Sequence, residues 1–134
     1  MQHTPAERAE RSVHHVHELI HAVFTGPATD TTQQLDELLA AFAEDFSMVG
    51  TAGKVVDRAQ VEQLFRGIAG TRCGLEIVVD EVRVVWQAGA NVALRYRETH
   101  RLAGQQTRRW SLAIIECTGT GVMWHCLQET PIGD

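Results

Sequence analysis

The chain is short of the features that mark several protein classes. No run of about 18 consecutive apolar residues occurs, so no helix is expected to span a membrane. The first residues, MQHTPAERAERS, are polar and hold no apolar stretch of signal-peptide length, which points to the cytoplasm. The three cysteines, Cys73, Cys117 and Cys126, are odd in number and show no C-x-x-C spacing, which argues against a disulfide framework and a zinc knuckle. Arginines are scattered along the chain rather than gathered in a basic run, and the formal net charge is −5, so nucleic acid is not an expected partner. A G-x-S-x-G elbow is missing, and Gly50-Thr51-Ala52-Gly53-Lys54 lacks the full spacing and following helix of a phosphate loop. No cofactor is implied. Repeats, low-complexity tracts and linkers are not evident, and aromatic residues make up only 6%.

What is present is ordinary globular composition: 134 residues, 44% apolar and 22% charged, enough for one domain over residues 1–134 with its own core. Thr4-Pro5-Ala6-Glu7 is a helix start, with Thr4 as cap, Pro5 at the first helical position and Glu7 able to bond back. Val13, Val16, Ile20, Val23 and Phe24 form an apolar stripe until Gly26-Pro27 ends the helix, followed by a turn through Ala28-Thr29-Asp30. Leu35, Leu38, Leu39 and Phe42 mark a second amphipathic helix within TTQQLDELLAAFA. A short hairpin around Thr51-Ala52-Gly53-Lys54 precedes a third helix at Ala59 to Ile68, stopped by Gly70. From Leu75 the period changes to two, and turns at Gln87–Ala90, Ala103–Gln105 and Thr118–Gly121 divide the remainder into four strands pairing as a meander. The order predicts an α+β fold, three N-terminal helices packed on a curved antiparallel sheet.

The strand Val92 to Leu102 has two unlike faces. Val92, Leu94, Tyr96, Glu98, His100 and Leu102 alternate with Ala93, Arg95, Arg97, Thr99 and Arg101, and burying the second set would desolvate three arginines. The even-numbered set therefore turns inward. The same parity predicts inward sets Val82, Val84 and Trp86 before it, Trp110, Leu112 and Ile114 after it, and Val122, Trp124 and Cys126 in the last strand. The odd set Met123, His125, Leu127 and Glu129 is nearly as apolar, and one bulge would exchange the faces. On this register Trp86, Trp110 and Trp124 line a pocket for an apolar small molecule, oriented by Glu98, His100 and Gln128, while Arg83, Arg95, Arg97, Arg101 and Arg109 lie outside.

Glu98 and His100 on an apolar wall admit three readings: a buried hydrogen bond that satisfies the core, ligand contact without chemistry, or acid–base catalysis. In the last, a carboxyl raised by burial serves as base, with Tyr96 or His100 facing a developing oxyanion. Histidines are dense on the first helix, and His17-Glu18-Leu19-Ile20-His21 matches H-E-x-x-H. The extended metalloprotease pattern fails, with Phe24 where glycine and Pro27 where histidine should stand, and only a distant carboxylate such as Glu37 or Glu44 could complete a zinc site. No metal is expected; these histidines read as a solvated helix flank, with His17 or His21 able to reach a pocket.

Phe46-Ser47-Met48-Val49-Gly50 through Gly53, Asp57-Arg58, Tyr96-Arg97-Glu98, Arg109-Trp110-Ser111 and Trp124 through Glu129-Thr130 together resemble the nuclear transport factor 2-like superfamily, in particular its SnoaL-like bacterial members. The resemblance covers nearly the whole chain. It implies the cone-shaped cystatin-like/nuclear transport factor 2-like fold, a homodimer formed through the sheet, and a ligand site between the concave face and the helices. Ketosteroid isomerases, polyketide cyclases, dehydratases and noncatalytic association domains share this fold, so the resemblance implies either a pocket carboxylic acid that transfers protons, for which Glu98 is the positional candidate, or an association module with a filled pocket.

Overall fold

The computed structural model describes residues 3–27 and 31–133, so Ala28, Thr29 and Asp30 of the expected turn lie outside the described residues. Helix α1 runs Pro5–Thr25, and the Thr4 hydroxyl oxygen accepts the Glu7 N–H at 3.1 Å as its N-cap. The Glu7 carboxylate accepts a hydrogen bond from the Thr4 hydroxyl at 3.0 Å instead of bonding the Thr4 backbone. Helix α2, Thr32–Ala40, buries Leu35, Leu38 and Leu39. It is shorter than its pattern predicted, because Phe42 belongs to β1, Phe42–Val49, which turns back antiparallel into β2, Val55–Asp57. Helix α3, Arg58–Ile68, starts from a complete capping box between Asp57 and Gln60.

The four long strands are β3 Glu76–Ala88, β4 Asn91–Leu102, β5 Gln105–Cys117 and β6 Val122–Pro131. They pair in sequence order, as the turns predicted, within a six-stranded sheet of order β2-β1-β6-β5-β4-β3. The sheet is not wholly antiparallel, since β1 lies parallel to β6. A parallel neighbour requires a crossover, and everything between β1 and β6 supplies it.

All three helices contact the sheet, with α1 crossing β3 through β6. The core between the layers holds Val13, Val16 and Val23 of α1, Leu38 of α2, Phe46 of β1, Leu94 and Tyr96 of β4, Ile115 of β5 and Trp124 of β6. Each such side chain is worth about 1.5–3 kcal/mol of burial. Trp124 is wholly buried and donates its indole N–H to the Ser12 hydroxyl at 2.9 Å, which ties β6 to α1. No described helix is long and apolar enough to cross a membrane.

Candidate functional site

The inward face of β4 carries Val92, Leu94, Tyr96 and Glu98, all buried, with His100 partly so, as alternation predicted. The neighbouring strand β5 does not share its parity. Ala103-Gly104 is a two-residue turn with both residues at positive φ (53° and 79°), pairing Leu102 with Gln105 and hence Tyr96 with Ser111 and Glu98 with Arg109. An even-numbered residue therefore faces an odd-numbered partner. Ser111, Ala113, Ile115 and Cys117 are the buried set of β5, while Leu112 and Ile114 are exposed and Trp110 stands on the outer face beneath the guanidinium groups of Arg95 and Arg97. Trp110 is thus no part of the pocket, and Arg109 points in rather than out.

The same two-residue rule operates at Gly89-Ala90 and puts Trp86 opposite Ala93, on the outer face, 57% exposed. An irregularity between Val84 and Trp86 restores Val84 and Val82 to the core, as predicted, and a second between Asp80 and Arg83 turns Val79 inward opposite Glu98. In β6 the anticipated bulge is present. The pairing slips between Ile114 and Ile115, so that Trp124 faces in, and beyond it Leu127 and Glu129 do, opposite Ala113 and Ser111. Gln128 is consequently exposed on the outer face, and Cys126 is only partly buried.

These phases gather five ionisable side chains at one end of a cavity of about 180 Å³ between the sheet and helices α1 and α3. His17, Glu98, His100, Arg109 and Glu129 form its polar end. Phe24, Phe42, Met48, Phe65, Trp124 and Leu127 are among the apolar side chains that close the rest. Glu98, His100, Trp124 and His17, four of the side chains singled out from sequence, meet here; Tyr96 faces inward beside them but is not among the lining residues. A more open groove of about 500 Å³ follows the outside of α1 along β3, past His14, Glu18, His21 and Glu76. It lacks both the enclosure and the convergent charges of the inner cavity.

Glu98 organises the polar end. Its Oε2 accepts the Ser111 hydroxyl at 2.8 Å, and its Oε1 lies 3.0 Å from His100 Nε2 and 3.2 Å from His17 Nε2. Burial drives the carboxyl towards its neutral form, but the charges and hydrogen bonds of His17 and His100 prevail and hold it well below the usual carboxylate range. His17 Nδ1 donates to the Val13 carbonyl oxygen at 2.7 Å, so its proton is on that nitrogen, and the Nε2 facing a carboxylate oxygen is stable only when protonated as well. Burial opposes that charge and Glu98 outweighs it, which raises the His17 pKa above its ordinary value. The expected solvated flank of α1 is therefore half wrong: His17 is buried as the counterion of Glu98. His21 donates Nε2–H to the Leu75 carbonyl oxygen at 2.8 Å. One nitrogen of each H-E-x-x-H imidazole is thus engaged by this chain's own oxygens, and no cluster of three metal-ligating side chains occurs among the described residues.

His100 is bound differently. Its Nε2–H donates to Glu98 Oε1 at 3.0 Å, which orients a ring that lines the cavity. Glu129 contacts Arg109 through one oxygen, at 3.4 Å from Nη1. Burial and the nearby Glu98 charge raise Glu129 to about 6 in spite of Arg109. Among the described residues, the buried Arg109 Nε has no hydrogen-bond partner. Burial, followed by the charges of Glu98 and Glu129, pushes the Tyr96 hydroxyl well above its usual range, so it stays protonated.

An NTF2-like protein of unknown function from Pseudomonas aeruginosa is 35% identical, matches 94% of this chain and 99% of its own, and superposes with a TM-score of 0.87. The chain belongs to the NTF2-like family. At 12% identity, where the likeness shows the fold alone, stand a candidate scytalone dehydratase from Novosphingobium aromaticivorans (TM-score 0.68, 95% of this chain and 83% of that one) and a candidate calcium/calmodulin-dependent kinase II association domain from Exiguobacterium sibiricum (TM-score 0.65, 100% and 98%). No protein-family model and no curated protein sequence matches the chain.

Proposed function

We propose that this chain, a SnoaL-like member of its family, binds a small, largely apolar molecule in the inner cavity and moves a proton on it, at a carbon next to a carbonyl, with isomerisation, cyclisation or dehydration as the outcome. His100 carries the reading: one ring nitrogen is held by a buried carboxylate, and the ring so oriented lines the cavity. That is the arrangement of an oriented general base, with Glu98 holding the ring and His17 compensating its charge. Glu98, expected from sequence to be the base itself, suits that task poorly, since both its oxygens are engaged and its pKa is depressed. Glu129, near 6, can return the proton, and Arg109 can meet a developing oxyanion in the place assigned from sequence to Tyr96.

The volume supports a ligand of modest size. About 180 Å³ is more than a few waters occupy and below the usual range for drug-sized ligands, close to a cavity that holds a single benzene ring. The test is deuterium exchange next to the carbonyl of small cyclic ketones in D2O. The wild-type protein should exceed buffer, and His100→Gln should lose roughly 10²-fold or more of that excess. Equal exchange by both proteins would refute the assignment.

The outer sheet face favours a second reading, a homodimer formed through the sheet, which is compatible with the first. Val78, Val85, Trp86, Leu112 and Ile114 expose apolar area there, beside Arg95 and the paired Arg97 and Asp80 (2.9 Å). Exposed apolar side chains on one sheet face suit association with a second chain. Light scattering should give twice the chain mass for wild type and the single chain mass for Trp86→Glu; a monomeric wild type would overturn the dimer.

A further inference from the structure

The unsatisfied group at the polar end is Arg109. A guanidinium presents five donors in a planar fork, yet among the described residues this one makes a single long contact, with Glu129, and its buried Nε meets no acceptor. Four-fifths of the side chain is buried and Nε wholly so, and an unfilled charged donor at that depth is costly. A planar, two-oxygen acceptor entering the cavity would satisfy the fork in the bidentate manner guanidinium favours.

We propose that the cavity takes a monocarboxylate of about one ring in size, its carboxylate received by Arg109 and its apolar body lying among Phe24, Met48, Phe65 and Leu127. The proposal deepens the reading of this cavity as a ligand site and rests on it. Glu98 does not repel such a ligand, because His17 already balances its charge. Glu129 is the group that must give way. Facing it are His17 from α1, Tyr96, Glu98 and His100 from β4 and Arg109 from β5, whereas β1 and α3 line the cavity with apolar side chains only. A carboxylate that draws Arg109 away leaves Glu129 beside two negative charges, so Glu129 takes up a proton as the ligand binds.

Titration calorimetry with benzoate, 3-phenylpropanoate and the neutral benzamide tests this on the full chain. Benzoate should bind more tightly than benzamide and gain affinity as the pH falls from about 8.5 towards 6, by up to about tenfold per unit where one proton is taken up. The proton itself is read from the dependence of heat on buffer ionisation. Arg109→Met should lose the preference for benzoate over benzamide, and Glu129→Gln should bind benzoate without pH dependence. Benzamide binding as well as benzoate at every pH, or benzoate binding with no proton uptake by wild type, would overturn the proposal and leave the ligand site standing. Binding of none of the three would overturn the ligand site and the proposal together. The wild-type measurements decide even if a variant does not fold.

Discussion

Replacing Glu98 by glutamine keeps the shape of the side chain and removes the charge on which two histidines depend. In the folded protein the His17 pKa is raised above its ordinary 6.5, so its contribution to stability is fully present below that value and is lost as the pH rises through the folded pKa. Glu98 is shifted the other way, and its contribution is present above its ordinary 4.5 and lost as the pH falls through the folded pKa. The two together stabilise most between about 4.5 and 6.5, the interval bounded by their unfolded values. Removing one member of a buried ion pair costs on the order of 3–5 kcal/mol, and both partners here are about 95% buried. Urea denaturation of wild type and Glu98→Gln at pH 5.5 should differ by about that amount, or roughly 10–15 °C in Tm for a chain of this size. At high pH His17 is neutral in both proteins, and the difference should fall to the roughly 1 kcal/mol of the Ser111 hydrogen bond, which glutamine can still accept in part. A difference that declines nowhere as the pH is raised from 5.5 would refute the assignment of His17 as the protonated partner.

Two further outcomes follow from single contacts. Ser12→Ala leaves the buried Trp124 indole N–H without an acceptor and should cost about 1–3 kcal/mol in chemical denaturation, with a shift in tryptophan emission that a surface serine would not cause. Ala103 adopts φ 53° in a two-residue turn ahead of Gly104, so Ala103→Asn, which makes the Asn-Gly pair favoured there, should raise stability by about 0.5–1 kcal/mol; a loss would mean that the turn is not of this type.

How much of the site could be read beforehand is best judged strand by strand. On β4 the charge contrast between faces was decisive, and Glu98 and His100 were placed correctly because burying the arginines would cost far more than burying one carboxyl. On β5 both faces are apolar, Trp110, Leu112 and Ile114 against Ala113, Ile115 and Cys117, so hydrophobicity could not set the phase. The signal was in the turn: two residues, Ala103 and Gly104, between strands force opposite parity, and counting across them places Arg109 inside and Trp110 outside. The apolar outer face that misled the count is the one proposed to meet a second chain.

Glu129 was harder, because its direction depends on a bulge in β6 whose existence could be foreseen but not its place. His17 was hidden for another reason. A histidine on a helix stripe reads as a solvated flank until its counterion is known, and that counterion lies 81 residues further along the chain, on β4.

The sequence alone determined the elements, the meander, the α+β layering and the family, since these follow from local periodicity, caps and two- to four-residue turns, all of which act over a few neighbouring residues. Only the tertiary structure decided the composition of the site. Bulges in β3 and β6 and the packing of α1 select which ionisable groups share the cavity, and such choices depend on contacts between residues far apart in the chain, where a shift of one residue exchanges the inside of the sheet for the outside.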